Sequence, residues 1–357
     1  MQNEHQSTAE TVVSDVSLSS TTEETDEEST FSEVLDRFSP QDETVYECNT
    51  SLPQTTADND CEVALCANDE DDYEQFQLQI AGHHFSRGNG NSQLGVLRLK
   101  KSGHLLKPMQ VFPRGEREAN FFNLVFVIRN MKKDSDPRAT DDPTLSPLAS
   151  LIPTYYGNRV VPFDGVGHCY IEMEDITSGF KEPCILDVKI GAVTWDPDAS
   201  PEKINYERTK YPWGHKLGFR FLGMRLYDQV TGESQMYDKH WGKKLPEAQI
   251  IPALAQFFGD RSRDFIEEVV DRYQLQMQTI LCWFLKQRKF KFYSSSILFV
   301  FEGSSQCHDD HPVCDAKMID FTHVFPATGV DANYIDGLKS FMTYLDKYRK
   351  ETTTTQE

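Results

Sequence analysis

The chain has 357 residues, room for one large domain or two medium ones. Its formal charge of −20 is concentrated in residues 1–72, where 20 Asp and Glu stand against one basic residue, Arg37; the remainder holds 36 acidic and 35 basic residues. No apolar run is long enough to cross a bilayer as a helix and no secretory leader is visible, so the expectation is a soluble, reduced, intracellular protein whose eight Cys are free thiols.

Residues 1–75 are rich in Ser, Thr, Glu and Asp and poor in aromatics. Such a composition buries too little apolar surface to offset ordering entropy, so a disordered acidic tail is expected. Its run from Thr21 to Ser29 has the character of a partner-binding segment or a plain solubilising one. Folded structure is expected from about residue 76. Gln77 to Ile80 alternates as a strand does. Leu94 to Leu99 and His104 to Met109 read as strands around a turn at Lys101-Ser102-Gly103, with Lys107 near the end of the second. Pro113-Arg114-Gly115 breaks the chain, and Glu118, Phe121, Phe122, Val125 and Ile128 then recur at helical spacing. A strand Lys followed by a helix Glu is how protein kinases hold ATP phosphates, although a bare Lys and Glu are more often surface charges. Lys132 to Pro147 is polar and reads as a loop. Ile152 to Val161 and His168 to Asp175 read as strands, the second running into Glu174-Asp175-Ile176.

The most informative stretch follows. Pro183-Cys184-Ile185-Leu186-Asp187-Val188-Lys189-Ile190-Gly191 is an apolar strand carrying Asp187 and Lys189 on one face. Charges in such a strand are costly unless paired or functional. Two readings stand: a structural ion pair, or an Asp that orients a hydroxyl beside a Lys that carries phosphate charge. Ser200, Pro201 and Glu202 form a helix start, and Lys203, Glu207 and Lys210 then fall on one helical face. Gly218 to Tyr227 reads as a strand, with Arg225 as a further anion ligand, and Lys239 follows a turn at Thr231-Gly232. Helices are expected at Ala248 to Phe258 and Phe265 to Gln287, then a strand from Phe290 to Glu302. Cys307, His308, His311 and Cys314 fit no standard zinc spacing and read as a loop. A strand from Lys317 to Val324 carries Asp320, and a helix from Asp331 to Arg349 closes the chain before a frayed, Thr-rich end.

Pro183-x-x-x-Asp187-x-Lys189-x-Gly191, then Tyr293 with Ser295-Ser296-Ile297-Leu298, then Ile319-Asp320-Phe321, occur in this order over more than a hundred residues. The set resembles the inositol polyphosphate kinases, most closely their multikinase branch, from about Gln79 to Tyr348. The resemblance implies a two-lobed α+β fold, distantly like the protein kinases, with ATP in the cleft between residues 76–176 and 177–350. It implies that adenine meets backbone groups of Glu174 and Ile176, with Asp175 near the ribose. Lys107, oriented by Glu118, is expected on the ATP phosphates and Asp320 on Mg²⁺. Asp187 is expected to contact the ribose or orient the reacting hydroxyl, with Lys189 bridging the transferred phosphate and the substrate. Arg114, Lys203, Lys210, Lys239 and His323 are expected to hold substrate phosphates. Glu207 stands where the resemblance calls for an amide.

The absence of a Gly-x-x-x-x-Gly-Lys run and of a His-Arg-Asp loop excludes P-loop kinases and argues against an ordinary protein kinase. Only about twenty residues separate Lys189 from Lys210, room for one short helix. That favours a multikinase acting on inositol tris- and tetrakisphosphates, with phosphatidylinositol 4,5-bisphosphate a further candidate. A hexakisphosphate kinase or a trisphosphate 3-kinase is the alternative, and a non-catalytic scaffold with a partner-binding acidic tail is the opposing class. The resemblance also suggests a monomer in nucleus and cytoplasm; direct nucleic-acid binding is not expected.

Overall fold

A computed structural model describes residues 73–80, 94–131, 144–163, 166–304 and 313–354. The expectations for residues 1–72, for the Ile128 side chain and for Cys307, His308 and His311 lie outside what it describes.

Short alternating segments form a first antiparallel sheet. Its strands β1 (Tyr73–Gln75), β2 (Leu97–Leu99), β3 (Leu105–Pro108), β4 (Tyr155–Phe163) and β5 (Val166–Met173) lie in the order β1-β2-β3-β5-β4. Gly103, at φ 73°, supplies the left-handed residue in the β2–β3 turn. The sheet begins before the expected boundary at 76, and the expected strand Gln77 to Ile80 is instead a turn. Leu78 and Ile80 go inward, against Ile185, Val300 and Ile176, so their alternation reflects local plugging and not strand pairing.

The second sheet is centred on β6 (Pro183–Ile190). β10 (Ser296–Glu302) and β7 (Phe219–Tyr227) pair with its two edges, and β11 (Cys314–Ile319) and β8 (Ser234–Tyr237) lie outside them. A central strand covered on both faces is apolar almost throughout, and every residue of β6 except Lys189 is buried. The expected single strand from Phe290 to Glu302 is broken. β9 (Phe290–Phe292) leaves to pair with β12 (Val324–Pro326), and Ser294, at φ 56°, turns the chain before β10. The expected strand from Lys317 to Val324 likewise stops at Ile319. Asp320 adopts φ 64°, a left-handed conformation that Asp tolerates better than most residues.

Helix α1 (Arg114–Met131) follows the first hairpin, and α2 (Leu148–Leu151) precedes β4. α3 (Pro201–Lys210) starts as the sequence indicates, with Ser200 Oγ accepting the Lys203 N–H at 3.2 Å. α4 (Gly214–Leu217) and α5 (Lys239–Lys244) flank β7 and β8 in the chain. α6 (Ile250–Phe258), α7 (Arg263–Lys286) and α8 (Ala332–Thr354) cover the second sheet. α8 runs beyond the expected end at Arg349. Tyr348 stacks on Phe258 at 5.2 Å between centroids, which anchors the preceding turn. One continuous core joins the two sheets: Phe121 of α1 meets Phe290 and Phe292 of β9 and Phe321 after β11, at centroid distances of 5.7, 5.6 and 4.8 Å.

The end of β6 is fixed by backbone contact. Gly191 has φ 101°, and Gly337 of α8 lies against Gly191 and Gly218 so closely that a Cβ there would sit 2.6 Å from Gly191 N and closer still to Gly218 O. Only glycine permits this approach. Gly337→Ala is therefore expected to destabilise the fold by about 1–3 kcal/mol through overpacking. Gly329→Ala, where an added Cβ meets nothing within 4 Å, is the control and should be close to neutral. Urea denaturation of both variants checks the contrast.

Candidate active site

Lys107 occupies the end of β3, with Leu106 buried behind it. Its ammonium donates to Glu118 Oε1 of α1 at 2.7 Å and to Asp320 Oδ1 at 2.6 Å. Glu118 is fully buried, and its Oε1 also accepts the Phe321 N–H at 3.0 Å. Burial alone would lower the pKa of Lys107, but the two carboxylates outweigh it and raise it well above its ordinary value. Burial likewise opposes ionisation of Asp320, and Lys107 overrides it, holding the carboxyl below its usual range. The expected Lys–Glu pair thus exists, and Asp320 joins it.

Asp187 and Lys189 lie alongside. Burial, followed by the charge of Asp320, pushes Asp187 up to about 7, with Ser296, Lys189 and Lys107 holding it partly down. Its Oδ1 is buried without a hydrogen-bond partner. Lys189 is brought down to about 8 by burial and then by Arg220, its cross-strand neighbour on β7, with Lys210 acting in the same sense. Asp187 and Lys189 are therefore not a neutralised structural pair. Asp187 Oδ1 lacks a donor, and Lys189 is flanked by Arg220 and Lys210 as well as by the carboxylates of Asp320 and Asp187.

On α3, Lys203 and Lys210 both donate to Glu207 Oε1, at 2.8 and 3.0 Å, and Thr194 Oγ1 donates to Oε2 at 2.9 Å. Burial would raise the Glu207 pKa, but these donors hold it at about 2. His323 Nδ1 lies 2.5 Å from Asp196 Oδ2. Arg117 connects the same region, donating to Thr322 O at 3.1 Å and Asp198 Oδ2 at 3.3 Å.

Other expected site residues are placed differently. Arg114 is exposed at the first residue of α1, and Lys239 is half-buried at the first residue of α5; neither makes an ion pair among the described residues. Glu174 ties the end of β5 to β11 through Lys317 at 3.0 Å, and its N–H donates to Thr154 O at 2.8 Å. Ile176 packs its side chain into the small cluster with Ile80 and Ile185, so only its backbone is available. Asp175 is buried; its Oδ1 accepts from Thr177 N at 2.9 Å and Thr177 Oγ1 at 2.6 Å, so it caps a turn, and its Oδ2 lies 3.7 Å from Arg98 Nε. The expectation of Arg225 as an anion ligand is corrected. Arg225 is buried, donating to Pro183 O, to Glu182 at 3.1 Å and to Ser234 at 2.7 Å, and so clasps the strand ends. Arg220, Asp196 and Thr194 were not singled out by the sequence. Only the cross-strand pairing of Arg220 with Lys189 could have revealed the first, and pairing is not local.

Two antiparallel sheets whose elements share one lysine between a helix carboxylate and a loop aspartate define a kinase-type α+β fold. A family model described as inositol polyphosphate kinase matches residues 170–346. Human inositol polyphosphate multikinase is 36% identical over 231 residues, covering 64% of this chain and 51% of that protein. The mouse protein of the same name is 32% identical over 76% of this chain and 68% of its own length. Inositol polyphosphate multikinase beta of Arabidopsis thaliana is 31% identical over 75% and 90%. In fold, the chain is similar to the crystal structure of inositol phosphate multikinase from S. cerevisiae in complex with ADP and Mn²⁺, at a TM-score of 0.52 and 22% identity, covering 69% of this chain and 98% of that one. The chain spans about half the length of the human relative that it matches. On the mouse and Arabidopsis comparisons, this chain belongs to the inositol polyphosphate kinase family.

The charge at Asp187 has a measurable cost. Its folded pKa of about 7 lies above the ordinary 3.8, so between those values the folded chain retains a proton that the unfolded chain has released. The associated stability is fully present below about pH 4 and lost as the pH rises through 7. Asp187→Asn should therefore stabilise the chelator-treated protein at pH 8, by up to about 4 kcal/mol from the three-unit shift, with the gain fading toward pH 4. Chemical denaturation at several pH values reads both the sign and the window.

Proposed function

We propose that this protein is an ATP-dependent inositol polyphosphate multikinase, transferring the γ-phosphoryl of ATP to hydroxyls of inositol tris- and tetrakisphosphates. The observation that carries the reading is the single ammonium of Lys107 shared by Glu118 and Asp320, with Asp187 and Lys189 next to it. The nucleotide is read as lying between the first sheet (β1–β5) and the second (β6, β7, β8, β10 and β11), with adenine on the backbone of Glu174 and Ile176. Lys107, kept charged, faces the ATP phosphates. Asp187 Oδ1 accepts a ligand hydroxyl. Lys189, whose charge is disfavoured by burial and by Arg220 and Lys210, is read as meeting the transferred phosphate, which would stabilise its charged form. Lys203, Lys210 and His323 then hold further phosphates, His323 with its ring oriented by Asp196. Arg114 and Lys239 are read as outer contacts.

Mg²⁺ fits the donor set. Among the described residues no cluster of three or more His, Cys, Asp or Glu could hold a metal by itself, and Mg²⁺ characteristically takes one or two carboxylates and leaves the remaining positions to phosphate and water. Asp320, with Asp187 beside it, would hold the ion, which when bound neutralises charge on the phosphates. The protein contributes positioning and fixed charge, which is most of what phosphoryl transfer requires. The headgroup of phosphatidylinositol 4,5-bisphosphate presents the same phosphate chemistry and is a further candidate substrate.

The test is incubation with ATP, Mg²⁺ and each inositol phosphate in turn, with products separated by anion exchange. Tris- and tetrakisphosphates should gain phosphate. Lys189→Ala should lower kcat by about 100-fold or more with little change in melting temperature. Transfer confined to hexakisphosphate, no transfer at all, or full activity in Lys189→Ala would contradict the proposal.

A further inference from the structure

The Lys203, Glu207 and Lys210 face is not a plain basic row. Glu207 is buried, and its carboxylate is held from three sides: both ammonium groups on Oε1 and the Thr194 hydroxyl on Oε2. Thr194 is itself fixed, because its carbonyl accepts the Ser294 hydroxyl at 2.8 Å from the turn that leads into β10. The Tyr206 ring lies 5.4 Å from Lys203 Nζ and 5.2 Å from Lys210 Nζ, so each cation also has an aromatic face nearby. The Lys203 side chain is 52% exposed, so one end of this clamp opens to solvent.

Two consequences follow from elementary electrostatics. The carboxylate converges two long side chains that would otherwise lose rotamer freedom on meeting a ligand. It also places a fixed negative charge within contact distance of both ammonium groups expected to receive phosphates. Each phosphate held by these two lysines gains from them but is repelled by Glu207, whose side chain is only 5% exposed and so weakly screened. The penalty therefore grows with the phosphate count of the ligand, while the ordering benefit does not.

Resting on the reading of this site as the inositol phosphate site, we propose that Glu207 is a specificity-determining residue: a built-in counter-ion that pre-orders Lys203 and Lys210 and biases the enzyme toward the less phosphorylated of its substrates.

The experiment compares kcat/KM for an inositol tetrakisphosphate and an inositol trisphosphate in wild type, Glu207→Gln, Glu207→Met and Glu207→Asp. The tetrakis-to-tris ratio should rise by about tenfold in both neutral variants, with the change in KM. It should stay near wild type in Glu207→Asp, which keeps the charge. The salt dependence of KM for the tetrakisphosphate should steepen in the neutral variants, a readout that a purely structural role for Glu207 does not move. An unchanged ratio in neutral variants that melt like wild type overturns the inference, as does an equal rise in Glu207→Asp, which would assign the effect to lysine placement. A wild-type enzyme that phosphorylates neither substrate refutes the functional reading instead, so the two failures are distinct. In that case isothermal titration of the same two ligands still tests the role of Glu207, through the ratio of their Kd values.

Discussion

The ammonium of Lys107 is the constraint on which the rest of the site depends. It belongs to the first sheet, yet its partners arrive from a helix and from the turn after the outermost strand of the second sheet. Glu118 is buried completely, a placement that costs several kcal/mol for a carboxylate left alone. Lys107 and the Phe321 N–H supply the compensation. Asp320 is held in a left-handed conformation because its neighbour Phe321 is locked among Phe121, Phe122 and Phe292. Aromatic packing thus fixes the backbone that aims a carboxylate, and the carboxylate shares the cation that fixes the first sheet.

This set leaves Glu118 Oε2 buried without a partner, and the charges beside it are incomplete as well. Asp187 has a buried oxygen without a donor, and Lys189 is buried beside two cations, Arg220 and Lys210, as well as the carboxylates of Asp320 and Asp187. Natural folds usually satisfy such groups, and exceptions concentrate at sites that await a ligand. Glu207 is the opposite case, an anion fully satisfied by the lysines of its own helix and by Thr194. The site is therefore partly charged in advance and partly open, which suits a ligand that brings several phosphates but must be placed in one orientation.

The sequence made the local parts of this legible. Period two on β6 put Asp187 and Lys189 on one face, helical spacing placed Glu118 after Lys107, and Ser200-Pro201 marked the start of α3. What it hid was long-range. Arg225 reads as an anion ligand until the Pro183 carbonyl, forty-two residues away, is seen to take its guanidinium. Arg220 reads as one more strand residue until β7 pairs with β6. Asp175 looks like a strand end and is a turn cap. The left-handed residues Ser294 and Asp320 broke two expected strands because neither is glycine, the residue that ordinarily announces such a turn. Gln77 to Ile80 alternated for reasons of plugging, a pattern that no local rule separates from strand pairing.

The most direct measurement is a crystal structure with ADP, Mn²⁺ and an inositol trisphosphate bound. The account predicts the β-phosphate on Lys107, the metal on Asp320, a ligand hydroxyl on Asp187 Oδ1, and inositol phosphates among Lys189, Lys203 and Lys210, with Glu207 still bonded to Thr194. A nucleotide bound away from Lys107, or an inositol ring that leaves the face of α3 empty, would contradict it.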